Sequence, residues 1–157
     1  MRDSVGALAW IVSELMQRQI PFAVVGGLAV RAYGGQRALS DIDIDVPDAA
    51  ILPLSRALEA YVTAGPKRLV EDPYDCLFLG LSFAEQEIEL TGADTFRIRD
   101  SRSGDWRDWP TDLSAVEQRI VLGMRVPVLE RSTLIAYKQI AGRPVDVADV
   151  AFLEAAR

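Results

Sequence analysis

Three aspartates alternate along one short stretch of the chain, Ser40-Asp41-Ile42-Asp43-Ile44-Asp45-Val46. Residues two apart on a β-strand point to the same side, so a strand here places Asp41, Asp43 and Asp45 on one face and the aliphatic residues on the other. Carboxylates held close together repel each other, and a divalent cation is the usual compensation. The stretch therefore predicts a metal site; a strand edge carrying solvated acids is the alternative.

Two adjacent glycines, Gly26 and Gly27, lie between an apolar run and a helical stretch. Free N–H groups at the start of a helix bind anions such as phosphate, and glycine lets a ligand approach the backbone closely. The spacing is neither G-x-G-x-x-G nor a Walker A sequence. A plain strand-to-helix turn explains the same residues without any ligand.

Composition limits the chemistry that these residues can serve. The 157 residues include no histidine and one cysteine, Cys76, which excludes histidine-based acid–base catalysis, a usual zinc site and an intrachain disulfide. A metal would have to be hard and oxygen-ligated, meaning Mg²⁺, Mn²⁺ or Ca²⁺. The formal net charge of −6 argues against a general nucleic-acid coat protein. No stretch resembles a signal peptide or a membrane span, so we expect a cytoplasmic protein.

The elements that must position these residues interleave along the chain, and the length predicts a single domain over 1–157. Hydrophobic spacing predicts helices over 4–19, 28–33, 49–61, 133–140 and 144–156, and strands over 22–25, 41–46, 68–70, 74–83, 85–91, 116–122 and 125–129. Gly65-Pro66 is predicted to turn the chain, and Asp100 to Asp112 to be an exposed loop partly pinned by Trp106 and Trp109. The pattern favours an α/β fold with a mixed, twisted sheet flanked by helices.

The glycine pair followed by a helix and by Ser40-Asp41-Ile42-Asp43 resembles the signature of the nucleotidyltransferase superfamily associated with DNA polymerase beta. The local sequence is most similar to that of small bacterial branches, the AbiEii-type toxin-like nucleotidyltransferases and the antibiotic nucleotidyltransferases. The resemblance implies that Asp41 and Asp43 bind Mg²⁺ or Mn²⁺, which holds a nucleoside triphosphate (NTP), and that the glycine turn and Ser40 lie at the nucleotide. A third carboxylate on a neighbouring strand completes such sites, and Glu89 is the residue expected here.

The family more often has aspartate where this chain has Glu89, so the geometry of that ligand is open. Asp45 is the competing third carboxylate, with a surface position as its expected place. Arg37 precedes the acidic strand, where it can meet a phosphate or the acceptor or be an ordinary surface arginine. Trp106 and Trp109 can stack on a base, although packing is the alternative.

A second block, from Lys138 through Arg143 and Asp146 to Asp149, resembles the ending of the same branch. A lysine on a helix can supply a point charge to triphosphate oxygens, and an aspartate is favourable in the first turn of a helix. Lys138 and Asp146 are therefore candidates for contacts with the nucleotide. In the structural alternative, Arg143 and Asp146 pin the last two helices together.

The resemblance as a whole implies Mg²⁺-dependent transfer of a nucleoside monophosphate from an NTP to an acceptor. The acceptor can be RNA such as tRNA, a protein or a small molecule. One half of a toxin–antitoxin pair is a further hypothesis, with an antitoxin or a second copy of the chain as partner. The alternative is a catalytically inactive nucleotide-binding or protein-interaction module with the same fold.

Overall fold

A computed structural model describes residues 1–156 of the chain. Within them, five helices are α1 (Ser4–Gln17), α2 (Gly26–Ala32), α3 (Asp48–Ala57), α4 (Arg131–Ala141) and α5 (Pro144–Ala155). Nine strands are β1 (Ala23–Val25), β2 (Asp41–Val46), β3 (Val62–Glu71), β4 (Tyr74–Phe83), β5 (Gln86–Gly92), β6 (Arg97–Arg99), β7 (Trp106–Asp108), β8 (Val116–Val121) and β9 (Met124–Leu129). No helix among these residues is long and apolar enough to cross a membrane.

The strands form one sheet in the order β7-β6-β4-β5-β2-β1-β9-β8, with β3 also paired to β4. The pairs β2–β5 and β1–β9 are parallel and the other pairs are antiparallel. The predicted α/β fold with a mixed sheet is thereby confirmed. The acidic strand β2 lies near the middle of the sheet, between the strand that leads into the glycine turn and the strand that carries Glu89.

The core lies on the face of β2 opposite its carboxylates. Ile42 and Ile44 are fully buried there, as the alternation predicted. Helix α1 contributes a buried apolar stripe to the same core: Ala7, Leu8, Ile11, Val12 and Leu15. One face of the central strand thus secures its position through burial of apolar surface, which leaves the other face available for polar side chains.

Two local predictions are wrong. Gly65-Pro66 does not turn the chain but lies inside β3, where the register with β4 shifts between Ala64 and Lys67. Such a bulge accommodates a glycine and a proline without ending a strand.

The segment from Asp100 to Asp112 is not simply a loop, because it contains β7, which pairs with β6. The guanidinium of Arg97 lies 5.9 Å from the centre of the Trp106 ring, and its Nε is 3.3 Å from Asp108. These cross-strand contacts stabilise a short pair whose polar residues suggested a loop.

Candidate functional site

Strand β2 brings the glycine turn and the downstream acidic strand to the same place. Asp43 lies opposite Val25 of β1 on one side and opposite Glu89 of β5 on the other. Helix α2 begins at Gly26, directly after Val25, so the glycine turn lies beside Asp43. Residues opposite each other on adjacent strands share a face, which places Glu89 next to the β2 aspartates.

Asp41, Asp43 and Glu89, here called the carboxylate group, converge at this point. Their oxygens lie within 4.8 Å of one another. Burial and the negative charge of Glu89 raise the pKa of Asp43 well above its ordinary value. Burial, together with repulsion from Asp41, also raises the pKa of Glu89. Within residues 1–156 no lysine or arginine forms an ion pair with the group, so the donor set suits a hard divalent cation.

Glycine is required at position 26 for two structural reasons. Its φ is +61°, in the left-handed region, and a Cβ there would overlap the Asp43 carboxylate. One of the two sequence interpretations explained this glycine by close approach of a ligand, the other by a plain strand-to-helix turn; the structure shows that the Asp43 side chain approaches it closely.

Arg37 is not an ordinary surface residue. Its Nε and Nη2 both donate to Asp149, at 3.0 Å each, in a bidentate pair. The guanidinium also covers the glycine turn, because a Cβ on Gly27 would lie 2.9 Å from Nη2. Arg37 therefore places a positive charge at the turn, and a residue 112 positions away in the sequence fixes that charge.

Lys138 has carboxylate partners of its own inside the protein. Its side chain is 1% exposed, and Nζ lies 2.9 Å from Asp149 and 3.3 Å from Asp146. Burial would raise the pKa of Asp149, but hydrogen bonds from Arg37 and Lys138 outweigh it and lower that pKa. We call the set Arg37, Lys138, Arg143, Asp146 and Asp149 the helix-pair network.

Asp146 is fully buried and ties the start of α5 together. It accepts from Nε of Arg143 at 2.7 Å and from the backbone N–H of Arg143 at 3.2 Å. These contacts close the start of α5, whereas the link between the last two helices comes from Lys138 of α4, whose Nζ reaches Asp146 and Asp149 of α5. Charge-assisted hydrogen bonds of this kind are the strong ones in proteins.

Asp45 is not at the surface, contrary to expectation. It is 7% exposed, accepts a hydrogen bond from Thr111 Oγ1 at 2.7 Å, and lies outside the carboxylate group. Burial raises its pKa to about 7, although the Thr111 hydroxyl opposes the shift. The alternation along β2 was predicted correctly. Asp45 is buried because Thr111, 66 residues later in the sequence, covers it.

Ser40 lies at the exposed start of β2, and its hydroxyl is 3.4 Å from Asp41. Its carbonyl accepts from Gln86, a fully buried side chain that also accepts from the Ser4 hydroxyl. Sequence reasoning did not single out Gln86, which has no motif around it. This hydrogen-bond network joins α1 and β5 to the start of the acidic strand.

The carboxylate group and the three cations of the helix-pair network, Arg37, Lys138 and Arg143, line one cavity of about 440 Å³. Aromatic side chains complete its walls: Tyr74, Phe78, Phe96, Trp109 and Tyr137. The Tyr74 and Tyr137 hydroxyls are 3.2 Å apart, and burial raises the pKa of Tyr74 to about 12. Of the two tryptophans considered, Trp109 lines this cavity, whereas Trp106 packs against Arg97.

Solved structures with a similar fold are nucleotidyltransferases. A candidate nucleotidyltransferase of Thermotoga maritima, TM1012, is 24% identical, with 96% of this chain and 89% of that chain covered and a TM-score of 0.68. The lincosamide antibiotic adenylyltransferase LnuA, solved with lincomycin, is 13% identical, with 99% of each chain covered and a TM-score of 0.64. The antibiotic-resistance factor ANT(2'')-Ia is 16% identical over 95% of this chain and 81% of its own, with a TM-score of 0.63.

No family model and no curated protein sequence matches the chain. At these levels of identity the likeness concerns the fold, and the fold is nucleotidyltransferase-like.

Proposed function

We propose that this protein transfers a nucleoside monophosphate from an NTP to an acceptor and releases pyrophosphate. The observation that carries the proposal is the carboxylate group, three converging acids that form no ion pair with a lysine or arginine among residues 1–156, beside a glycine turn covered by an arginine. The nucleotidyltransferase-like fold supports the same reaction class. Phosphoryl transfer depends mainly on positioning and on charge stabilisation, and both are features of this cleft.

In this proposal, Asp41, Asp43 and Glu89 hold Mg²⁺ or Mn²⁺. Their donor set fits such an ion because three carboxyl groups each offer an oxygen within 4.8 Å of the others and form no ion pair with residues 1–156. When bound, the ion supplies charge neutralisation at the phosphate oxygens. Glu89 is longer than aspartate by one methylene, yet its carboxylate still reaches the other two. Glu89 is also our candidate for the group that accepts the proton of an acceptor hydroxyl, because it lies opposite Asp43 at the edge of the cleft.

Arg37 is our candidate for the side chain that contacts the phosphates at the glycine turn. Its Nη1 makes no hydrogen bond to any of residues 1–156, whereas Nε and Nη2 are held by Asp149. Lys138 is buried between two carboxylates, so we assign Lys138 and Asp146 an indirect role in holding the cleft wall. Replacing Arg37 with lysine would remove the bidentate geometry and weaken NTP binding.

The finer parts of the proposal have narrower support. LnuA is a lincosamide antibiotic adenylyltransferase and ANT(2'')-Ia is an antibiotic-resistance factor, which favours ATP as donor and a small molecule as acceptor. Five further points rest on the sequence and stay predictions: the AbiEii-type branch, a toxin–antitoxin role, a tRNA or antitoxin partner, a cytoplasmic location and a single domain.

The test is transfer of label from each α-phosphate-labelled NTP, with Mg²⁺, to RNA, protein and small-molecule acceptors. We expect Asp43→Asn to lower transfer by at least about 100-fold, the effect of removing one stabilising group from a charged transition state. Glu154→Gln, which removes the same charge from the exposed side of α5, is the matched control. NTP binding without transfer would support the inactive-module alternative, and absence of NTP binding would contradict both.

A further inference from the structure

Strand β3 forms the longest edge of the sheet. It pairs with β4 along one side, and no other strand among residues 1–156 pairs with it. Within the same residues, no backbone hydrogen bond outside that ladder involves 62–71. The N–H and C=O groups along the free side of an edge strand are unpaired, so such a strand is a template for pairing with another chain.

The two halves of β3 differ in how well they could pair. The first half contains Gly65, Pro66 and two shifts of register with β4, which are features that protect an edge from pairing. From Lys67 to Glu71 the ladder with β4 runs without a shift. Within this second half the apolar side chain of Val70 is 64% exposed. Residues 67–71, here called the edge segment, are therefore the part of β3 that can accept a further strand.

The charges of the edge segment are complementary to those of a second copy. If two antiparallel copies are related by a two-fold axis at Leu69, Lys67 of each copy lies opposite Glu71 of the other, and the symmetry makes this pair twice. Neither residue forms an ion pair among residues 1–156. Lys67 and Glu71 are an even number of positions apart, so their backbone groups point to the same side, as antiparallel pairing requires. Moving the axis by one residue, to Arg68, would place two arginines opposite each other, so the charges favour one register.

The edge formed by β8 lacks this property. Glu117 and Arg119 of β8 pair with each other at 3.1 Å, and the guanidinium of Arg119 lies 4.4 Å from the centre of the Tyr33 ring. The charges of β8 are thus compensated within the chain, whereas those of the edge segment are available to a partner.

We infer that the edge segment pairs with the edge segment of a second copy of this chain, in an antiparallel two-fold dimer that joins the two sheets. The occupant is a second copy because the lysine and the glutamate of one segment each face their opposite charge in the other. Leu69 and Glu71 also line the cleft, so the dimer places Lys67 of the second copy at the margin of the cleft. A pair of strands of this length buries less area than a standard interface, so the dimer is reversible. The inference does not depend on the proposed function.

Sedimentation velocity of the full chain tests for the dimer without any ligand. We expect the protein to be monomeric at low micromolar concentration and to dimerise with a Kd on the order of 100 µM. The Kd should rise with added salt, because salt screens the attraction between exposed charges. A protein that stays monomeric up to about 500 µM would overturn the inference.

Exchanging the two charges then tests the register. Lys67→Glu places two acids opposite each other at both positions, and Glu71→Lys places two lysines there, so each is expected to raise the Kd at least about tenfold. The double variant with both substitutions restores opposite charges, and its Kd should return to within about threefold of the parent value. Arg125→Glu, on the exposed side of β9, changes the net charge as Lys67→Glu does and is the control.

Each remaining outcome contradicts the inference. A double variant that does not recover the dimer would show that Lys67 and Glu71 do not face each other. A dimer that neither single variant weakens, or that Arg125→Glu weakens equally, would place the interface on another surface of the protein.

Discussion

The helix-pair network and the carboxylate group face the same cleft, but their charges are balanced differently. In the network, two carboxylates are held by three cations, with distances of 2.7 to 3.3 Å. In the carboxylate group, three acids within 4.8 Å have no cationic partner among residues 1–156. The first arrangement is complete within the protein and serves to hold helices α4 and α5 in place. The second is costly until a cation joins it, which is typical of a functional site.

The largest expected change in stability concerns the helix-pair network. Lys138→Met leaves Asp146 and Asp149 buried with one cation fewer, so we expect the free energy of unfolding to fall by about 3–5 kcal/mol. Urea denaturation measures the change. Lys67→Met, on exposed β3, is the control and should stay within about 0.5 kcal/mol of the parent. A small loss in Lys138→Met would mean that the network does not depend on its buried lysine.

Asp149→Asn separates the two roles of one residue. It weakens the hydrogen bonds to Arg37 and Lys138, and we expect the free energy of unfolding to fall by about 2 kcal/mol. Arg37 also loses its anchor at the glycine turn, so the KM for NTP should rise more than kcat falls. Steady-state kinetics on Asp149→Asn and Arg37→Lys give the comparison. An unchanged KM in both variants would show that Arg37 does not contact the nucleotide.

In the carboxylate group, the expected change in the free energy of unfolding has the opposite sign. Asp43→Asn removes one charge from a group in which burial and repulsion raise the pKa. We expect the free energy of unfolding of the metal-free variant to exceed that of the parent by about 1 kcal/mol. Functional sites often reduce the stability of a protein, so replacing a functional residue can stabilise the fold. Thermal denaturation with and without Mg²⁺ tests this. The parent should gain stability from Mg²⁺ and the variant should not; the opposite pattern would show that Asp43 is not a ligand.

The smallest expected effect is in the dependence on pH. A carboxyl whose folded pKa is raised contributes stability below its unfolded pKa, and that contribution is lost as the pH rises through the folded value. The pKa values of Asp43 and Glu89 are raised, and the pKa of Asp45 is raised to about 7. Metal-free protein should therefore lose stability between about pH 5 and about pH 8.

The lowered pKa of Asp149 acts in the opposite direction, because its contribution is lost as the pH falls. The difference between the parent and Asp43→Asn therefore isolates the carboxylate group. We expect the parent's stability to decline more steeply with rising pH in urea titrations at matched ionic strength. Mg²⁺ affinity should rise over the same range, since the ligands must be deprotonated. A parallel pair of curves would contradict the raised pKa of Asp43.

Local patterns predicted most of the elements and one half of the candidate site. The alternation on β2 predicted the shared face of Asp41 and Asp43, and the glycine pair predicted the strand-to-helix turn. The same kind of reasoning was wrong at Gly65-Pro66, because a bulge depends on the partner strand. The predicted surface position of Asp45 was also wrong, since Thr111, 66 residues away in the sequence, covers it.

By itself, the sequence determined which chemistry is available. Without histidine and with a single cysteine, the chain can offer a metal little besides oxygen ligands, and the period of a strand places its aspartates on one face. Only the tertiary structure decided which charges are compensated within the protein. Arg37 and Asp149 are 112 positions apart, and Lys138 meets its carboxylates through the packing of two helices. Pairing between distant side chains depends on how the elements pack, and no local pattern records it.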